Sequence, residues 1–305
     1  MRKIFNASFF VVLLFCPLLL SAEETQSGEQ CEYEMLSAGP FTTWTAPVCC
    51  KGQFVVQPYL IYNKTRGFYD ASGDYNSFAG GDRKNQLQES LYAMLGVTDR
   101  LELSGQIYYQ ENYVKYAGES ASANGFGDSY LYLRYCMVDE KEGLPHITGL
   151  LQMKFPTGKY EDLSEDKLGA DLMGTGSYDP AVGLIMTKTL KPFKLHADLI
   201  YNVPLETKID GFNIRYGQYL NYDVGVEYFL PKGFNLLFEL NGLVQGNTDE
   251  DGERIDGSDY KYLVGGLGVG WSNETIQTLL AYQRTLLGTN ADANDSVMLT
   301  FVYSF

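Results

Sequence analysis

Histidine occurs only twice in the 305 residues, proline ten times, and basic residues fall well short of acidic ones, 23 against 38. Past Leu20 no apolar run approaches the roughly 20 residues that a membrane-spanning helix needs. Each shortage excludes something. The charge deficit argues against a nucleic-acid partner, which needs basic patches. Two histidines leave little material for His-based catalysis, and no convincing metal-ligand spacing is present. Without a later apolar run, the chain beyond residue 22 is either soluble and exported or crosses a membrane with strands.

The N-terminus carries the signature of secretion. Arg2 and Lys3 precede a nearly uncharged apolar stretch from Ile4 to Leu20, and Ser21-Ala22 forms a small-residue exit. Acidic Glu23-Glu24 follows, which favours cleavage after Ala22 over a retained anchor. Cys16 follows bulky Leu14-Phe15, which disfavours a lipoprotein. The expected layout is a signal peptide over 1–22, a Cys-containing periplasmic segment over 23–52 and a barrel over 53–305. Without Arg2 and Lys3, 21 basic residues face 38 acidic ones, a net charge of −17.

What is abundant is aromatic and flexible: 24 Tyr, 17 Phe and 32 Gly. From Gln53 onward, period-2 patterning predicts twelve strands: Gln53–Asn63, Leu87–Val97, Leu101–Glu111, Phe126–Val138, His146–Phe155, Tyr178–Lys188, Phe193–Val203, Gly217–Leu230, Phe234–Gln245, Tyr260–Trp271, Thr275–Leu286 and Ser296–Phe305. Most are near the roughly 9–11 residues of a tilted membrane-crossing strand. Leu220, Tyr222, Val224, Phe234, Leu236, Phe238, Leu299 and Phe301 fall on one face. Asn221, Asp223, Glu227, Glu239 and Asn241 fall on the other. Tight connections such as Thr98-Asp99-Arg100 and Pro231-Lys232-Gly233 alternate with long polar loops at Lys64–Gln86, Asn112–Gly125, Pro156–Ser177, Pro204–Tyr216, Gly246–Asp259 and Gly288–Asp295. Asp139–Pro145 is long for a tight turn. This pattern specifies an all-β fold, a transmembrane antiparallel up-and-down β-barrel of about twelve strands, located in the bacterial outer membrane. A soluble sandwich or lipocalin-like barrel would alternate as well. Twelve such strands would enclose a lumen too wide for polar side chains alone to fill. The C-terminal Phe305, with aromatics at alternate positions before it, has the shape of a signal for the barrel assembly machinery.

Four short Gly-rich or terminal motifs stand out: Gly125-Phe126-Gly127-Asp128, Lys154-Phe155-Pro156-Thr157-Gly158, Gly174-Thr175-Gly176-Ser177-Tyr178-Asp179-Pro180 with Gly183-Leu184, and the closing Val302-Tyr303-Ser304-Phe305. In these the chain resembles the outer-membrane proteins named for the MetA pathway of phenol degradation. The resemblance spans roughly Gln53 to Phe305. It implies a Gly-rich barrel of twelve-strand type and uptake of small or apolar solutes; it implies no catalytic residues.

With the apolar row outward, the lumen-lining charges are Glu102, Asp128, Arg134, Lys154, Asp179, Lys194, His196, Asp198, Asp223, Glu227 and Glu239. They are either salt bridges bracing the barrel or the wall of a cation-preferring passage. Gly266, Gly268 and Gly270 face inward and either permit curvature or leave room for a ligand or an inward-folded segment. Lys261 and Arg284 sit on outward rows near the rim, where they could reach lipid phosphates. His146-Ile147-Thr148 has the spacing of a hydroxyl–His pair but lacks an orienting partner, so no catalytic residue is assigned. The acids from Asp249 to Asp259 are a solvated surface or a bridge through divalent cations to lipopolysaccharide. Neither a metal nor a cofactor is expected.

The expected function is a passive channel for small solutes, apolar or aromatic ones among them, with outer-membrane lipid, lipopolysaccharide and the assembly machinery as partners. The competing reading is a structural or surface-interaction barrel with a closed lumen. Four cysteines follow the signal: Cys31, Cys49, Cys50 and Cys136. Export suggests disulfides, and four cysteines allow three pairings. The favoured one joins Cys49 or Cys50 to Cys136 and pairs Cys31 with the remaining member, with a vicinal Cys49–Cys50 bond ranked last. A link to Cys136 would draw the N-terminal segment toward or into the barrel mouth, as a plug or as a stapled terminus that blocks nothing.

Overall fold

The structure is a computed structural model and describes residues 39–273 and 275–305. The expected signal peptide and Cys31 lie outside the described residues. No helix among the described residues is long and apolar enough to cross a membrane. The crossing elements are twelve strands: β1 (Phe54–Tyr69), β2 (Arg83–Thr98), β3 (Leu101–Tyr116), β4 (Ser129–Val138), β5 (His146–Phe155), β6 (Asp179–Leu190), β7 (Phe193–Asn202), β8 (Tyr219–Phe229), β9 (Phe234–Gln245), β10 (Tyr260–Ser272), β11 (Ile276–Thr289) and β12 (Ala291–Ser304). Each pairs antiparallel with its neighbour in the chain, and β12 pairs back onto β1 from Val55↔Ser304 to Tyr69↔Ala291, closing the barrel. Closure leaves no unpaired edge, the condition for a sheet in lipid.

The alternation sorts the side chains as expected. Leu220, Tyr222, Val224, Phe234, Leu236, Phe238, Leu299 and Phe301 are exposed on the outside. Asp223, Glu227, Glu239 and Asn241 are buried inside, with Asn221 half-buried on the same row. β5 and β9 begin and end where the pattern does.

The expected loops at Lys64–Gln86, Asn112–Gly125 and Gly288–Asp295 are largely strand. β1, β2 and β3 each run 16 residues. β3 also pairs with a further strand, Glu119–Phe126, and β11 turns into β12 through Asn290 alone. The reason is that the projecting ends carry polar and charged residues such as Lys64, Arg83 and Asp295 on the outward row, so they keep the ladder but lose the apolar alternation in sequence. Within the Pro204–Tyr216 and Gly246–Asp259 connections, four short strands form a small separate sheet.

Candidate functional site

The interior of the barrel is occupied. Residues 41–49 run through it, before the chain enters β1, and the barrel wall holds this strap chiefly by its backbone. The Glu239 carboxylate on β9 accepts from the backbone N–H of Phe41 (2.6 Å), Thr42 (3.0 Å) and Thr43 (2.9 Å), and from the Thr43 hydroxyl (3.0 Å). Asp198 on β7 accepts from Trp44 N–H (2.8 Å), Thr187 on β6 from Ala46 N–H (2.9 Å), and Glu102 on β3 from Cys49 N–H (2.9 Å). Arg134 on β4 donates to the carbonyls of Thr45 and Pro47, the latter at 3.1 Å, and Thr148 on β5 donates to Ala46 (2.6 Å). Six acceptors and donors from six different strands thus converge on one extended segment. Buried backbone N–H and C=O groups must be paired, and here the wall pairs them.

Side chains complete the contact. Phe41 packs with Leu237, Leu279, Ala281 and Met298. A Cβ on Gly266 would lie 2.5 Å from the Phe41 ring, so the inward glycine is the space that ring fills. Trp44 stands edge-on to Tyr132 and Tyr92, at 5.0 and 5.9 Å between ring centroids, and the Arg134 guanidinium lies 5.4 Å from the Trp44 ring centroid.

Several charges inside the barrel are engaged with partners. Arg134 meets Glu102 at 2.9 Å, and both are buried. Lys154 lies 2.6 Å from Asp179 and 3.8 Å from Asp128. His196 bonds Glu227 at 2.9 Å, whose other oxygen accepts from Asn235 at 2.8 Å. Asp198 and Asp223 are cross-strand neighbours. All ten of the residues Asp128, Arg134, Lys154, Asp179, Lys194, His196, Asp198, Asp223, Glu227 and Glu239 are buried. Lys261 and Arg284 are exposed on the outer face.

A second segment enters from the opposite end. The connection from β5 to β6 folds back against the wall. Asp128 accepts from Gly158 N–H (3.1 Å) and Thr175 N–H (3.0 Å), while Gln110 and Asn112 donate to the carbonyls of Met173 (3.3 Å) and Ala170 (2.9 Å). A Cβ on Gly174 would lie 2.2 Å from the Asp128 carboxylate, so only glycine admits this approach. Between strap and loop the wall is neutral. Tyr59, Tyr108, Tyr130 and Tyr219 keep part of their inward surface accessible. Side-chain amides bond in rows: Asn63 to Gln86 (3.0 Å), Gln86 to Gln110 (3.1 Å), Gln152 to Asn202 (3.0 Å) and Asn202 to Asn221 (3.0 Å).

One sequence expectation about the site is corrected. Cys49 and Cys136 both carry free thiols, so neither Cys49 nor Cys50 is bonded to Cys136. The strap enters the barrel through backbone hydrogen bonds and needs no covalent tether. The Cys136 thiol instead donates to Asp139 (3.2 Å). Thr148, considered beside His146 as a hydroxyl–His pair, is committed to the strap carbonyl. The acids near Asp249 are held by the neighbouring hairpin, with Arg215 on Asp249 (2.5 Å) and Asn213 N–H on Asp251 (2.9 Å). An inward N-terminal segment is one of the readings the sequence leaves open, and the inward glycine row leaves room for it. The wall residues that bind its backbone carry no sequence signal of that partnership.

The barrel is similar to the crystal structure of an outer membrane channel from Pseudomonas putida F1, at a TM-score of 0.70 with 16% identity, over 85% of this chain and 98% of that one. More distant likenesses are to the NanC porin (TM-score 0.48, 10% identity, 81% of this chain and 98% of that one). The translocator domain of the autotransporter NalP from Neisseria meningitidis is comparable (0.47, 12%, 84% and 90%). Neither adds to the argument. Residues 69–301, from the last residue of β1 into β12, match the model of one family, and the chain belongs to it: the family described as "Putative MetA-pathway of phenol degradation".

Proposed function

We propose that the chain is an outer-membrane channel for small uncharged solutes with aromatic or apolar groups, held shut at rest by its own strap. The carrying observation is the neutral stretch of wall between strap and loop, where tyrosine rings and paired amides face inward while most of the carboxylates and cations lie in bonded clusters. Rings offer stacking surface and amides offer hydrogen bonds without a net field. A wall of this kind suits a neutral solute better than an ion. The signal peptide over residues 1–22 and export to the bacterial outer membrane belong to the same reading. So do contacts with lipopolysaccharide at the Lys261 and Arg284 rim, and with the barrel assembly machinery through the C-terminal strand.

The occupied interior favours one competing reading, a barrel that conducts nothing and serves as a structural or surface-interaction element. Planar-bilayer recording and liposome swelling separate the two. The proposal expects slow entry of a neutral aromatic such as phenol, poor entry of benzoate, and higher conductance after deletion of Glu23–Thr45. A full-length protein and a deletion variant that are both impermeable would establish the closed barrel.

A further inference from the structure

The connection between β4 and β5 gathers a ligand set that the linear spacing conceals. Cys136, Asp139 and His146 each present one donor atom, and these atoms all lie within 4.8 Å of one another. A β-bulge produces the convergence. The β4–β5 ladder pairs Cys136 with Thr148 but Val138 with Ile147, leaving Met137 extra. That one-residue shift puts Asp139 opposite His146, while Cys136 and His146 stay on the inward row. Bulges re-aim side chains in this way near functional sites.

Two further observations point to a missing ligand. Nε2 of His146 is buried and has no hydrogen-bond partner among the described residues, although a buried ring nitrogen normally has one. The partners of the other two donors are already arranged around them. Asp139 is fixed by Arg100 through its second oxygen, Oδ2, which leaves Oδ1 to the Cys136 thiol. The backbone N–H of Cys136 is anchored to the Arg100 carbonyl at 2.8 Å. This is the outer support that metal ligands generally have.

We propose that Cys136, Asp139 and His146 form a binding site for Zn²⁺ at the turn end of the barrel. A thiolate, an imidazole and a carboxylate are the borderline donors that zinc accepts in tetrahedral geometry, with the fourth position left to water. On binding, the thiol proton that now bridges to Asp139 is released to solvent, and sulfur and oxygen both turn to the metal. The site would clamp the turn from Asp139 to Pro145, whose length is otherwise unexplained for this end of the barrel.

The test uses the full barrel in detergent, apo after chelation, with Zn²⁺ alone as the probe in competition with a chromophoric chelator. Cobalt serves as the spectroscopic stand-in. Stoichiometric binding is expected, with a thiolate-to-cobalt charge-transfer band. Cys136→Ser should abolish the band, and Cys136→Ser, Asp139→Asn and His146→Ala should each weaken zinc by more than about tenfold. Cys49→Ser should leave both readouts unchanged. Heat-modifiable gel migration shows whether each variant has folded, and His146→Gln replaces any that has not. Binding unchanged in folded Cys136→Ser and His146→Ala, or a cobalt spectrum without a thiolate band, would overturn the assignment.

Discussion

Replacing Glu239 with glutamine changes two atoms' chemistry and almost no volume, at the point where the strap is held most densely. Four donors converge on this carboxylate, at 2.6 to 3.0 Å. A glutamine with its oxygen in place of Oε2 keeps three of these bonds as neutral ones and turns its NH₂ toward Phe41 N–H. Each remaining bond weakens by about 1 kcal/mol, the difference between charged and neutral acceptors, and the orphaned amide costs about 1–3 kcal/mol. Relief from burying a charge offsets part of the loss. A net of about 3 kcal/mol remains, or roughly a hundredfold in the population of the released strap. Hydrogen exchange of the amides at Phe41, Thr42, Thr43 and Trp44 reads this population without assuming that the barrel conducts. Glu239→Gln should accelerate exchange by about two orders of magnitude, while the ladder amides of β9 stay protected. Glu89→Gln, on the outward row, serves as the control. Equal exchange in Glu239→Gln and the parent would refute the claim that this carboxylate holds the strap.

Other outcomes follow from the same interior. Gly266→Leu places a side chain where Phe41 sits and should expel that ring, costing about 1–3 kcal/mol by overpacking; quenching of a fluorophore attached at position 41 would report it, and an unmoved probe would count against the packing. Arg134→Ala strands Glu102 and should destabilise the barrel by about 3–5 kcal/mol in denaturant titration, whereas Glu102→Gln with Arg134→Met should cost much less; equal losses would show that the pair's charges are not buried together. Burial and the Glu102 charge push the Cys49 thiol well above a free thiol's range, so Cys49 and Cys136 should resist maleimide until the barrel is unfolded, and non-reducing peptide maps should leave Cys31 and Cys50 to pair. Because that thiol stays protonated in the folded chain, its contribution to stability is intact below the free-thiol range and declines as pH rises through it; a Cys49→Ser variant should lose this alkaline sensitivity, and an identical alkaline slope in both proteins would contradict it.

How far the fold was legible depends on which face the environment constrains. In β9 the outward Phe234, Leu236 and Phe238 meet lipid, so the apolar row marks both ends of the strand. Past Asn63 in β1 the outward row turns polar at Lys64 while Thr65 and Tyr69 stay buried, and Lys64 to Tyr69 reads as loop although it is ladder. The inward placement of Asp128, Lys154 and Glu239 follows from parity alone. Their partners do not. Glu239 binds backbone N–H groups that any residue supplies, and it does so 196 to 198 positions away. No periodicity or side-chain motif marks such a contact. The Cys136–Asp139–His146 convergence was hidden for a different reason, since a single bulge changes which residues oppose each other without leaving a signature in composition.

The span of the strap's bonds also orders events in time. Its contacts with Glu102, Arg134, Thr187, Asp198 and Glu239 reach steadily further down the chain, and those to Glu239 span 196 to 198 positions. Non-local contacts form late, because the chain between them must first be ordered. The strap is made before β1, yet it has no place to dock until β9 exists. During biogenesis the nascent wall therefore assembles around an unfilled centre, and docking of the strap reports that the sheet has become a complete cylinder.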